Sequence, residues 1–136
     1  MELKLKREHW NIMRTQVQTH APHEACGLLA GKNNRVEKVL LIENQAKSQV
    51  KFRMDPREQL EAFNWIDSNG LDLVGIFHSH PAGPETVSAT DIEEAAYAAT
   101  QIIWSRTKGN WIARGFWIEN KLVSEVRLEV MDGEQP

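Results

Sequence analysis

The sequence predicts an α/β fold in the broad sense, a mixed sheet flanked by helices, and three observations carry that expectation. Three stretches place apolar residues at helical spacing, one over residues 7–20, one beginning at Pro56 and one from Ile92 to near Thr100. Short apolar or alternating runs of strand length occupy most of the remainder. The two kinds of segment do not alternate regularly, which argues against a doubly wound parallel sheet.

Taken in order, Glu2 to Leu5 alternates polar and apolar and reads as a short strand. From Arg7 to His20, the residues Trp10, Met13 and Val17 recur at helical spacing, and Pro22 follows as a stop signal. Cys26 to Ala30 is a compact apolar run, and Gly31-Lys32-Asn33-Asn34 reads as a turn into a strand from Arg35 to Ile42. Lys51 to Met54 reads as another short strand. Pro56 sits where a first-turn proline belongs, Leu60, Phe63 and Ile66 form an apolar stripe, and Asn69-Gly70 supplies the stop. Leu71 to His80 is the most strand-like segment, with Leu73 to Phe77 expected to be buried on both faces. A loop holding Pro81, Gly83 and Pro84 follows. Ile92, Ala95, Ala96, Ala99 and Ile103 then trace one face of a helix ending near Thr100. Gln101 to Ser105, Trp111 to Glu119 and Lys121 to Val130 read as strands, the last two joined by a tight turn at Asn120. Asp132 to Pro136 is a polar tail.

The 136 residues suit one domain over 1–136, long enough to bury a core. A formal net charge of -3 without a Lys/Arg cluster gives no sign of a nucleic-acid or anionic-membrane surface. Cys26 is the one cysteine, so no internal disulfide can form and nothing implies an oxidising compartment. Apolar runs are too short to span a bilayer, and the opening MELKLKREHW lacks the apolar stretch of a secretory signal. A cytoplasmic enzyme or binding module is the default expectation.

The chemistry concentrates at His78-Ser79-His80, at the carboxyl end of the apolar strand. Strand periodicity is two, so both imidazoles project to one face, where a rigid element can aim two nitrogens at a single metal. Asp91 falls in the first turn of the following helix, and the intervening loop could fold it back towards the histidines. Two imidazoles, a carboxylate and a position left for water make a catalytic rather than a structural zinc site. Glu24 is the leading candidate for the base that peptide hydrolysis also requires, because it precedes an apolar run that could lie beside the histidine strand.

The segments Pro22-His23-Glu24-Ala25-Cys26-Gly27-Leu28-Leu29-Ala30-Gly31 and Gly75-Ile76-Phe77-His78-Ser79-His80-Pro81, continuing through Ser88-Ala89-Thr90-Asp91, resemble the JAMM (MPN-plus) zinc metalloprotease family, in its compact single-domain microbial form. An upstream glutamate, His-x-His-Pro, then Ser-x-x-Asp all occur at the family's spacing. The similarity extends through Phe52-Arg53-Met54-Asp55-Pro56 to the final strands. The resemblance implies an MPN-like (cytidine-deaminase-like) fold with a curved, mixed, mostly antiparallel sheet. It implies that His78, His80 and Asp91 hold one Zn2+ with a bound water, that Glu24 is the general base and acid, and that Ser88 stabilises the tetrahedral intermediate. It also implies cleavage of peptide or isopeptide bonds after the carboxyl-terminal Gly-Gly of a ubiquitin-like or sulfur-carrier protein. Small members usually carry proline before the serine, where this chain has Val87.

Blander readings exist for each residue. The histidines could be satisfied polar groups at a strand end. Ser88 and Asp91 form an N-capping pattern, and an aspartate cannot fully serve both amides and a metal. Glu24 could be a solvated loop carboxylate, and Cys26 reads as a small buried hydrophobe. His9, His20 and His23 are expected at the surface, while the five tryptophans are expected to pack the core or a partner surface. A cupin-type site is excluded because no histidine follows His80, an amidohydrolase barrel by length, and a zincin by the absence of His-Glu-x-x-His. A non-hydrolytic MPN-type scaffold and a hydrolase of small amides remain as alternatives.

Overall fold

The computed structural model describes residues 1–49 and 51–131, and the tail Asp132 to Pro136 lies outside the described residues. The chain runs β1 (Glu2–Lys6), α1 (Arg7–His20), β2 (Cys26–Lys32), β3 (Arg35–Ile42), α2 (Pro56–Ser68), β4 (Asp72–His80), α3 (Ala89–Glu93), β5 (Thr100–Thr107), β6 (Asn110–Glu119) and β7 (Leu122–Met131). The strands form one curved sheet in the order β1-β3-β2-β4-β5-β6-β7, closed into a barrel. Closure comes from β1, which pairs in parallel with β7 along its length and with β3 at the one register position of Lys4 and Arg35. Of the seven pairings four are antiparallel, so the curved, mixed, mostly antiparallel sheet is as expected.

Local chemistry accounts for the elements. Three hairpin turns use consecutive left-handed residues, Asn33-Asn34, Lys108-Gly109 and Asn120-Lys121, whose twist matches that of the flanking antiparallel strands. In α2 the Asp55 side chain caps the helix, accepting from the Arg57 amide at 2.8 Å, and Pro56 occupies the first turn. Strand β4 is buried on both faces towards its end, because its alternate residues enter different cores. Phe77 joins Leu3, Leu5, Met13, Val17, Leu29 and Trp104 beneath α1. Ile76 joins Cys26, Leu28, Ile42 and Ala62 on the α2 side. Among the described residues no helix is long and apolar enough to cross a membrane.

Four expectations are corrected. The helix predicted through Thr100 is only the five-residue α3, because Ala96 and Ala98 face solvent and Ile103 is drawn into β5, paired in parallel with His78. With little apolar surface to bury, alanine's helix propensity does not outweigh that pairing. Lys51 to Met54 makes only an isolated bridge, Met54 with Asn44, since the Arg53 amide bonds to the Asn44 side chain at 2.8 Å rather than to a strand backbone. Leu60 is exposed, and the buried face of α2 runs instead through Ala62 and Ile66. His9 is buried rather than at the surface: at the third position of α1 its Nδ1 accepts the Lys6 amide at 3.1 Å, satisfying the N-cap amide. Burial lowers its pKa, against an opposing pull from Glu8.

Candidate active site

The antiparallel register of β2 on β4 builds the site. Cys26 stands opposite His78, and one step further the Ser79 amide donates to the Ala25 carbonyl at 3.0 Å. Continuing that register puts Glu24 level with His80, and alternation then turns Glu24 to the face that His78 and His80 share. Ligand atoms of Glu24, His78 and His80 accordingly lie within 4.8 Å of one another, all three residues buried. The loop after Pro81 returns α3 to the same place. Asp91 Oδ1 is 3.2 Å from His78 Nε2, and its Oδ2 is 3.3 Å from His80 Nε2.

Neighbouring groups orient the rings. His80 Nδ1 donates to the Pro84 carbonyl at 2.9 Å, and a carbonyl can only accept, so in neutral His80 the lone pair sits on Nε2. That Nε2 faces His78 Nε2 at 3.1 Å and the Asp91 carboxylate. Phe52 stacks on His78 with ring centroids 4.4 Å apart. His78 Nδ1 is buried without a hydrogen-bond partner among the described residues. Lone pairs and carboxylate oxygens thus converge with few protons between them, a donor set that fits a divalent metal such as zinc.

Burial lowers the pKa of His78, although the bond to Asp91 opposes it. Burial also disfavours the His80 imidazolium, but Asp91 and the Pro84 carbonyl carry its pKa above the usual value. For Asp91, burial is overcome by the two facing histidines, which in their protonated forms donate Nε2–H to it and hold the carboxyl well below the usual carboxylate range. Glu24 is pushed up to about 7 by burial, with His80 pulling down and Asp91 pushing up. A carboxyl in that range can accept and release a proton near neutrality.

Ser88 and Asp91 do form a capping box, so the capping pattern and the approach to the histidines coexist. One Asp91 carboxylate serves both, because Oδ2 takes the Ser88 amide while Oδ1 faces His78. The Ser88 Oγ accepts the Asp91 amide at 3.0 Å, which uses a lone pair and leaves its hydroxyl proton available. Glu24, Ser88 and Asp91 line a polar cleft of about 750 Å³, walled also by Lys51, Arg53 and Glu94. A second, more apolar cavity of about 350 Å³ adjoins it, lined by Leu28, Met54, Ile76 and Tyr97 and sharing Phe52 and Asp91.

Cys26 is fully buried, with its thiol pushed up to about 12 by burial, as a packing residue should be. His20 and His23 lie outside the site. Trp104 and Trp111 are core residues, Trp10 packs against Trp104 at 4.8 Å, and Trp65 is exposed. Sequence reasoning missed Asn44, Ser79 and the role of Phe52. Asn44 is buried and bonds through its Nδ2 to the Glu24 and Lys51 carbonyls. Nothing in the local pattern marks a lone asparagine as a hub. Ser79 was visible between the histidines, but its bond to the Ala25 amide depends on the strand register.

Residues 6–119 match the family described as prokaryotic homologs of the JAB domain. A desampylase from Pyrococcus furiosus is 39% identical over 127 residues, covering 90% of this chain and 87% of that protein. A CysO-cysteine peptidase from Mycobacterium tuberculosis is 32% identical over 134 residues, covering 96% and 92%. Among solved structures, protein DSY2949 from Desulfitobacterium hafniense superimposes with a TM-score of 0.85 at 31% identity, over 96% of this chain and 94% of that one. The JAB1/MPN domain protein AF2198 from Archaeoglobus fulgidus shares the fold, with a TM-score of 0.59 at 20% identity over 96% and 98%. With its strand register, its histidine pair and its buried glutamate in one cleft, this chain belongs to the prokaryotic JAB family, within the wider JAMM/MPN group.

Proposed function

We propose that the chain is a zinc-dependent peptidase that cuts the bond following the carboxyl-terminal Gly-Gly of a ubiquitin-like or sulfur-carrier protein. The observation that carries this reading is the convergence of buried Glu24 on His78, His80 and Asp91 at one cleft. The names of the relatives, a desampylase and a CysO-cysteine peptidase, support the substrate class. A scaffold without chemistry would have no need of a complete donor set beside a carboxyl lifted towards neutrality.

His78, His80 and Asp91 would hold the zinc, which when bound supplies Lewis acidity and lowers the pKa of water to about 7. Glu24 takes a proton from the attacking water as its oxygen bonds to the scissile carbonyl carbon. The Ser88 hydroxyl donates to the carbonyl oxygen as that oxygen gains charge. Glu24 then returns the proton to the departing amine as the carbon–nitrogen bond breaks. Strand β4 is paired on both sides, by β2 and β5, so the substrate tail cannot add to it as a further strand. The cleft lined by Lys51, Phe52 and Arg53 beside Glu24 is the path we assign to the tail. Glycine suits a site where walls close on the backbone.

The test is to incubate zinc-reconstituted protein with ubiquitin-like fusions ending in Gly-Gly before a reporter peptide, and to locate the cut by mass. Cleavage after the second glycine, sharply slowed by Ala-Ala and abolished by chelation, is expected. Equal rates for the two fusions would remove the substrate assignment. A protein that binds no zinc and cuts nothing would instead be a scaffold.

A further inference from the structure

Glu24 stands just before β2, yet its backbone is held from several sides. Its amide donates to the Ser48 carbonyl at 2.7 Å, and its carbonyl accepts from Asn44 Nδ2 at 3.0 Å. The next amide, of Ala25, donates to Ser79 Oγ at 2.8 Å, while the Ala25 carbonyl accepts the Ser79 amide at 3.0 Å. Asn44 and Ser79 are themselves buried, at 4% and 0% exposure. The asparagine is locked in turn, because its Oδ1 accepts from the amides of Ala46 at 3.0 Å and Arg53 at 2.8 Å. A side chain so fully bonded has one orientation, and it transmits that orientation to the Glu24 peptide.

We infer that Asn44 and Ser79 are positioning residues that act on hydrolysis through Glu24, by clamping from both edges the peptide that joins Glu24 to Ala25. The inference rests on the reading of Glu24 as the proton-transferring group. Neither residue lines the cleft. Their bonds reinforce the last backbone link of β4 to this segment, Ser79 to Ala25, so the carboxyl is carried on a rigid support rather than on a loop end. A displacement of about 1 Å at a reacting group can cost about a hundredfold in rate.

The experiment is a pair of double-mutant cycles on zinc-loaded protein. Asn44→Ala and Ser79→Ala are measured in the wild-type background and in the Glu24→Gln background, with kcat, KM and zinc content read for each. Each single variant is expected to lose about 10- to 100-fold in kcat with little change in KM or zinc. In the Glu24→Gln background the same changes should cost no more than about threefold, since the group they position is already silent. Ser79→Thr, which keeps an oxygen acceptor, should recover most of the loss of Ser79→Ala. Should Asn44→Ala fail to fold, the Ser79 cycle alone decides. Equal penalties in both backgrounds, or loss of zinc in either variant, would overturn the clamp while leaving the base assignment standing. Full turnover by Glu24→Gln alone would overturn the base assignment, and the clamp with it.

Discussion

Ser88 and Asp91 hold each other reciprocally: the Ser88 amide donates to Asp91 Oδ2 at 2.8 Å, and the Asp91 amide donates to Ser88 Oγ at 3.0 Å. This exchange fixes a carboxylate whose two oxygens also face two histidines. Helix capping and the proposed metal holding would therefore be mechanically coupled in α3, and substitutions can separate them.

Asp91→Asn keeps an oxygen to accept the Ser88 amide but removes the charge that would hold zinc. Metal-purged, reconstituted wild-type protein should carry close to one zinc per chain, and the variant should carry far less while melting within a few degrees of apo wild type. Asp91→Ala should lose both, with about 1 kcal/mol of stability gone with the cap. Elemental analysis and thermal melts of the apo proteins check the two effects independently. Retention of zinc by Asp91→Ala would mean that Asp91 only caps.

Ser88→Ala deletes the hydroxyl donor and the acceptor of the Asp91 amide. Loss of a single donor to a developing oxyanion reduces kcat by about 100- to 1,000-fold, and that range is expected here with KM nearly constant. Steady-state kinetics on a cleavable fusion gives the answer. A loss smaller than about threefold would assign Ser88 to capping alone.

Glu24→Gln preserves shape and removes the proton acceptor. Turnover should fall at least about 100-fold, with zinc retained and the fold intact. Because substrate binding should persist, the same variant can hold the conjugate without cutting it. Zinc lost together with activity would instead make Glu24 a ligand, an outcome its closeness to both histidines makes worth measuring.

Buried His9 gives stability a pH dependence of known sign. Its folded-state pKa lies below the ordinary value of 6.5, so the unfolded chain binds the extra proton first as pH falls. Its contribution is complete above about pH 6.5 and is lost as pH falls towards the lowered folded-state value. His9→Gln retains an acceptor for the Lys6 amide but cannot titrate. Urea unfolding between pH 7.5 and 5 should therefore show a shallower decline for the variant, by up to about 1.4 kcal/mol per pH unit. The active-site histidines titrate in both proteins and cancel in the difference. Identical slopes would mean that His9 stays protonatable in the fold.

The segments that local chemistry governs were legible in the sequence. Alternation places Leu3 and Leu5 in β1, the asparagine pair makes the turn at Asn33-Asn34, and Asp55-Pro56 starts α2. His78 and His80 share a face because a strand has period two, and their spacing to Ser88 and Asp91 carried the family resemblance. Other features depend on which strands become neighbours, and no single segment contains that information. Glu24 reaches the histidines only because β2 pairs with β4 in one register, and a slip of one residue would turn it away. The alanine run after α3 spells a helix, yet β5 begins at Thr100 because pairing beside β4 buries Ile102 and Ile103 completely. Closure through β1 and β7 joins the two ends of the described chain, a contact that sequence periodicity cannot register. Asn44 is the clearest case: an unremarkable polar residue in the sequence, it acquires its bonds to Glu24, Ala46, Lys51 and Arg53 only when the fold excludes water and leaves backbone groups in need of partners.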